Sequence, residues 1–310
     1  MSPQGVVVLA GGVGASKFLL GLNRVIPPER ITIVGNTGDD FKVCGLRICP
    51  DLDTITYTLA GKVNPSTGWG VSGDSFDCLG WLQTYGAPSW FQLGDRDLAT
   101  HLWRTHLLEQ GLGLAEVTAG IGRTWGLRSL LLPMTESYAP TRVLTDQGDL
   151  HLQEYLVREQ CRPRVRQVSY RHLEQTRMSP GLPEQVAGAC RVVIAPSNPL
   201  ISIGPILAVP GMKELLRDSG LPVTAVSPLV EGRALKGPAA KMLKELGHPA
   251  SALGVARLLQ GVVDQFVIDT RDKALKKDIE VLGMQVKVTN TVMAGLAEKV
   301  ALAQAVMGPW

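Results

Sequence analysis

At 310 residues, the chain has room for one large domain or two coupled ones. With 45% hydrophobic and 19% charged residues it has ample material for a core, which excludes wholesale disorder. A formal net charge of +3 is too small to argue for nucleic acid as a partner.

The first element is a buried strand, Gly5 to Leu9, leading through Gly11-Gly-Val-Gly14 into a helix from Ala15 to Val25 that Pro27-Pro28 stops. A second strand, Ile31 to Val34, completes a βαβ unit, whose ligands bind beyond the carboxyl ends of its strands. Asp51 to Gly61 reads as a helix with an acidic cap, and Asn64 to Gly73 as a turn-rich loop. Ser75 to Gly86, Asp97 to Gly111 and Leu114 to Trp125 have helical spacing. Arg142 to Thr145 and His151 to Leu156 flank Asp146-Gln-Gly-Asp149 as a hairpin, and Arg162 to Tyr170 alternates like a half-exposed strand. Leu130 to Tyr170 therefore reads as a smaller β insertion.

The α/β alternation resumes with a helix from Pro183 to Cys190 and a strand from Arg191 to Ala195, ending in Pro196-Ser-Asn-Pro-Leu-Ile-Ser-Ile-Gly204. Strands at Val223 to Val226, Gln265 to Asp269 and Gln285 to Val288 alternate with helices, the last of them Leu296 to Met307. The predicted fold is a Rossmann-like α/β domain over 1–310, about six strands in a mostly parallel sheet, with a helical and β excursion over roughly 62–180.

The glycine turn overlaps two phosphate-binding patterns and completes neither. The dinucleotide fingerprint that begins Gly12-x-Gly14 needs a glycine where Lys17 stands, and no Gly-Lys-Ser/Thr follows for a Walker loop. Gly38-Asp39-Asp40 and Asp51-Leu-Asp53 place four carboxylates across fifteen positions at the same edge. Their mutual repulsion is relieved most simply by a divalent cation, and magnesium needs only one or two carboxylates when a substrate supplies phosphate oxygens.

Other chemistries find little support. His101 and His106 lack the zincin spacing and read as packed helical histidines, and no Gly-x-Ser-x-Gly elbow exists. Arg162 to Arg171 has few interleaved aromatics and reads as a solvated strand face, so no nucleic-acid partner is expected. No apolar run reaches the roughly eighteen residues that argue for a span, so no membrane association is expected. Five cysteines without a CxxC pair read as reduced thiols of a cytoplasmic protein.

Five blocks in order carry a family resemblance: Gly11 to Lys17, Gly35 to Asp40, Arg47 to Thr54, Gly94 to His101 and Ser197 to Pro205. Together they resemble the 2-phospho-L-lactate transferases of coenzyme F420 biosynthesis, Ala15 being one departure from the family pattern. The resemblance implies magnesium-dependent transfer of a phospholactyl or phosphoenolpyruvyl group from a guanosine diphosphate adduct to the terminal ribityl hydroxyl of the deazaflavin Fo. GMP leaves, and F420-0 or its dehydro form results.

On that resemblance, Asp39 and Asp53 are the best metal ligands, Asp51 competes for the second place, and Asp40 is a ligand or the base. Gly11, Gly12, Gly14 and Lys17, with Ser197, Asn198, Pro199, Ser202, Lys236 and Gly237, are expected to hold the guanylyl half. Asn36, Trp69, Gly94, Asp95, Arg96, Asp97 and Thr100 are expected to frame Fo. A homodimer is also implied, and the apolar helix Leu296 to Met307 is compatible with one. The rival reading is a non-catalytic regulator that binds a nucleotide sugar, as proteins of the same broad superfamily do.

Overall fold

Val6, Val7, Val8 and Leu9 are all buried, so strand β1 (Gly5–Ala10) is covered on both faces, as the centre of a parallel sheet requires. The computed structural model describes residues 5–310. After β1 come α1 (Gly12–Val25), β2 (Ile31–Gly35), a hairpin of β3 (Phe41–Val43) and β4 (Leu46–Ile48), and α2 (Pro50–Leu59). Three helices follow, α3 (Asp77–Thr84), α4 (Asp95–Glu109) and α5 (Leu114–Thr124), then β5 (Leu130–Pro133), β6 (Thr141–Thr145), β7 (Gly148–His151) and β8 (Val165–Tyr170).

The second half holds α6 (Leu182–Ala187), β9 (Ala189–Ile194), α7 (Ile203–Ala208), α8 (Met212–Asp218), β10 (Val223–Val226), and the short pair β11 (Leu229–Val230) and β12 (Arg233–Ala234). It closes with α9 (Ala239–Glu245), α10 (Ala252–Leu258), β13 (Gln265–Asp269), α11 (Lys276–Glu280), β14 (Gln285–Thr289) and α12 (Leu296–Met307).

Seven strands form the main sheet in the order β14-β13-β10-β9-β1-β2-β5, every neighbouring pair parallel. Alternate residues feed two cores. Val7, Leu9, Ile194, Ala225 and Phe266 face the layer containing α7, α8 and α10. Val6, Val8, Ile33, Val193 and Val267 face α1, α2 and α12 through Phe18, Leu22, Ile55 and Leu302. Strand order runs outward from β1 through β2 on one side and from β9 through β10 on the other. The switch in direction therefore lies between β1 and β9, where such sheets open a ligand crevice beyond their carboxyl ends.

Several expectations shift. The main sheet has seven strands because Leu130–Pro133 joins it as an edge strand beside β2 and is not part of the β insertion. The excursion expected over 62–180 is thus interrupted by a strand of the main sheet, leaving α3–α5 on one side of it and the antiparallel sheet β7-β6-β8 on the other. The hairpin β6–β7 forms around the expected turn, but it ends at His151, and Glu154–Arg158 is a single π-helical turn. Asp272 to Leu282 splits into a 3₁₀ segment over Thr270–Leu275 and α11. The apolar face of α12 is spent inside the chain: Leu302, Ala303 and Val306 are buried in the layer with α1.

Candidate functional site

A cavity of about 720 Å³ opens at the switch point. Its floor is the turn from β1 into α1, facing the loop after β9. Helix α1 begins at Gly12, three residues earlier than expected, so the glycines are its first turn. A Cβ on Gly14 would come within 2.4 Å of the Pro196 carbonyl oxygen, and one on Gly11 within 2.6 Å of Asp51 Oδ2. Only glycine lets these segments approach so closely. Ser197 Oγ donates to the Gly11 carbonyl at 2.8 Å, tying the two loops together.

The leading amide of α1 is already engaged. Gly12 N donates to Asp51 Oδ1 at 2.6 Å, and Asn36 Nδ2 donates to Asp51 Oδ2 at 2.8 Å and to the Ile201 carbonyl at 3.3 Å. Asn36 Oδ1 in turn accepts from Gly38 N at 2.9 Å. Asn36 lines the cavity, but its amide is occupied in joining the β2, α2 and β9 loops, where the sequence reading expected it to frame Fo.

The four carboxylates separate into three environments. Asp39 is buried and lines the cavity; its Oδ2 accepts from Gln153 Nε2 at 3.1 Å, and its Oδ1 has no hydrogen-bond partner. Burial, then the charges of Asp51 and Asp40, push its carboxyl well above the usual range. Asp51, also in the cavity wall, is raised by burial to about 6, against the opposing pull of Asn36 and Gly12. An orphaned buried oxygen among like charges is the environment that a divalent cation relieves, so Asp39 and Asp51 fit one.

Asp53 lines the cavity but is held from behind by Arg104, whose Nη1 lies 3.1 Å from Asp53 Oδ2 and whose Nη2 bonds Oδ1. Asp40 does not line the cavity. It is buried against Arg47, whose Nε and Nη2 lie 3.1 and 3.0 Å from its Oδ2, and Cys49 Sγ donates to the same oxygen. Burial raises Asp40 from its usual value against the pull of Arg47. Asp40, expected as a ligand or the base, therefore anchors the β3–β4 hairpin and lies outside the cavity wall, although its Oδ1, like that of Asp39, has no hydrogen-bond partner.

The block Gly94 to His101 divides in the same way. Asp95 accepts from the amides of Asp77 and Cys78 and so caps α3. Asp74 accepts from the amides of Arg96 and Asp97 and caps α4, and a Cβ on Gly94 would strike that carboxylate. Arg96 is exposed and reaches the Ser72 carbonyl, while Thr100 is buried in the helix packing. Gly94, Asp95, Arg96 and Thr100 thus lie outside the cavity wall.

Asp97 and His101 do line the cavity. His101 Nε2 lies 3.2 Å from Asp97 Oδ1, its Nδ1 lies 3.6 Å from Asp53 Oδ2, and Tyr57 Oη donates to Asp97 at 2.7 Å. Burial would raise Asp97, but His101, Tyr57 and Arg104 outweigh it and hold its carboxyl below the usual range.

The rest of the lining includes apolar side chains. Trp69, Phe91, Leu152, Leu156 and Val157 face the cavity, giving a flat ring something to lie against. Asn198, Ser202 and Gly237 also line the cavity, and Pro199 is buried outside its lining. Asn198 Oδ1 accepts from Leu200 N at 2.9 Å, which shapes that loop. Lys17 and Lys236 stand at the mouth, and Lys236 Nζ donates to the Thr67 carbonyl.

The structure adds Gln153, Tyr57, Phe91, His101 and Arg104 to the expected set. The spacing of Asp97, His101 and Arg104 at i, i+4 and i+7 on one helix face is the sequence signal that could have found the last two.

The family described as 2-phospho-L-lactate transferase CofD matches residues 6–304. A phosphoenolpyruvate transferase of Streptomyces griseus is 38% identical over 305 residues, 96% of each chain. A 2-phospho-L-lactate transferase of Methanothermobacter thermautotrophicus is 38% identical over 303 residues, 98% of this chain and 97% of that one. Among solved structures, a member of the UPF0052 family from Bacillus halodurans superposes with a TM-score of 0.64 at 15% identity, over 99% of this chain and 100% of that one. That last likeness concerns the fold alone. Among the described residues, no helix is long and apolar enough to cross a membrane.

Proposed function

The chain belongs to the 2-phospho-L-lactate transferase family, and from that premise we propose that it passes a phospholactyl or phosphoenolpyruvyl group from a guanosine diphosphate adduct to the terminal ribityl hydroxyl of Fo. The hydroxyl oxygen attacks the phosphorus that carries the three-carbon group. The bond from that phosphorus to the bridging oxygen breaks, GMP departs with the electron pair, and the hydroxyl proton passes to a carboxylate. The observation that carries this reading is the unpaired, buried Asp39 oxygen in a cavity lined by the glycine turn and by the aromatic side chains of Trp69 and Phe91.

Asp39 and Asp51 would hold magnesium, which when bound neutralises the diphosphate oxygens. Asp53 takes a different part, because Arg104 already supplies its counter-charge. It accepts the hydrogen bond of the attacking hydroxyl, orients it, and finally receives its proton. Phosphoryl transfer through a loose transition state needs positioning more than strong basicity, so a carboxylate suffices. Gly11, Gly14, Ser202 and the two lysines at the mouth address the guanylyl phosphates, and Trp69 and Phe91 bound the deazaflavin ring. A homodimer working in the cytoplasm completes the proposal.

Fluorescence of Fo titrated with the protein, with and without GDP and magnesium, tests it. Saturable Fo binding strengthened by both additions supports transfer. Tight binding of a UDP-sugar with none of Fo supports the regulator.

A further inference from the structure

Helix α4 is built inside out. Its buried residues are Asp97, Thr100, His101 and Arg104, whereas Leu102 and Trp103 are more than half exposed. Turning apolar side chains to solvent and burying an arginine runs against ordinary helix amphipathicity. A buried ion pair is by itself weak evidence for stability, because well-packed apolar residues commonly do as well. Arg104 even leaves its Nε without a partner. What the arrangement does achieve is orientation.

We propose that Arg104 is the positioning residue of the transfer reaction, its guanidinium fork fixing Asp53 so that the carboxylate presents its free lone pairs to the acceptor hydroxyl. The inference rests on the functional reading above. The two guanidinium nitrogens take one lone pair from each Asp53 oxygen, and a carboxylate offers about four, so roughly two remain for the cavity.

Arg104 is itself held. Its Nη1 lies 3.2 Å from His101 Nδ1, and His101 Nε2 lies 3.2 Å from Asp97 Oδ1, which also accepts from Tyr57. A guanidinium can only donate, so His101 Nδ1 is the acceptor of the Arg104 hydrogen bond, while His101 Nε2 lies near Asp97 without forming a hydrogen bond. The chain Tyr57–Asp97–His101–Arg104–Asp53 therefore runs along one wall of the cavity and ends at the proposed acceptor of the proton. Arg104 itself does not line the cavity, so it acts through Asp53 and not on the substrate. A lysine offers charge without the planar fork and would leave the carboxylate free to rotate.

The test compares kcat and KM for Fo in wild type, Arg104→Lys and Arg104→Ala, the last with and without added guanidinium ion. Supporting partners of this kind typically carry about 10–100-fold, so both variants should lose that much in kcat. KM for Fo should stay within about threefold, because the interaction matters in the transition state and not in ground-state binding. Guanidinium ion at millimolar concentration should restore Arg104→Ala by roughly tenfold or more, and equal urea should not.

An Arg104→Lys protein that melts like wild type and turns over at its full rate would overturn the inference. So would a folded Arg104→Ala protein whose lost activity guanidinium does not restore. If Arg104→Ala fails to fold, Arg104→Lys alone decides. An inactive wild type defeats the functional reading and this inference with it, whereas an active wild type beside an indifferent Arg104→Lys defeats only the inference.

Discussion

Gly14 packs so closely on the Pro196 carbonyl that a Cβ there would lie 2.4 Å from its oxygen, joining the carboxyl edges of β1 and β9 at the switch point. Neither partner can give way without moving backbone. Gly14→Ala should destabilise the protein by about 1–3 kcal/mol, the usual cost of overpacking, measured by urea denaturation. The same substitution should raise KM for the guanylyl donor more than KM for Fo, since it parts the two loops proposed to hold the donor.

The buried carboxylates set a pH dependence. Asp39 is pushed well above 3.8 by burial and by Asp51 and Asp40, and burial brings Asp51 to about 6. Between those values the folded chain binds more protons than the unfolded one, so the contribution of these groups to stability falls as pH rises. The melting temperature of metal-free Asp39→Asn, relative to wild type, should therefore be higher at about pH 7 than at about pH 5. A difference that stays flat or reverses sign contradicts the assigned environment.

Asp95 and Arg96, expected from the sequence to contact Fo, occupy the capping junction of α3 and α4. Asp95→Ala should lower the melting temperature, as the loss of a helix cap does. Arg96→Ala should leave KM for Fo within about twofold of wild type, because its side chain reaches a solvent-side carbonyl. A tenfold or larger rise in KM for Fo from Arg96→Ala would place the acceptor elsewhere.

Lys17 and Lys236 share the cavity mouth, and the Lys236 ammonium is pushed below its usual pKa by partial burial and then by Lys17. Two neighbouring cations at one rim suit the diphosphate of the proposed donor. Lys236→Ala should raise KM for the donor about tenfold and weaken its dependence on ionic strength, measured between low and physiological salt. Donor binding indifferent to both lysines would remove the phosphates from this rim.

Local patterns carried the sheet and its edge. The valine run before Gly11 and the aspartates after β2 and at the start of α2 have short-range signatures, and Asp39, Asp51 and Asp53 line one cavity while Asp40 does not. What lacked such a signature is long-range. The pairing of β1 with β9 joins residues more than 180 positions apart, and nothing near Leu130 says that its strand returns to the sheet edge. The surroundings of Asp40 and Asp53 were hidden because each carboxylate is paired by an arginine on another element, Arg47 of β4 or Arg104 of α4. Gly94, Asp95 and Arg96 were drawn into the site by a motif whose glycine and carboxylate serve capping, while Asp97 and His101, one turn further on, reach the cavity.

The most direct measurement is mass spectrometry of the product formed from Fo, magnesium and each guanylylated three-carbon donor in turn. The account predicts Fo extended by one phospho-three-carbon unit, with one equivalent of GMP released and the product lost when Asp39 is replaced by alanine. Unchanged Fo with every donor, or a product formed without release of GMP, would contradict it.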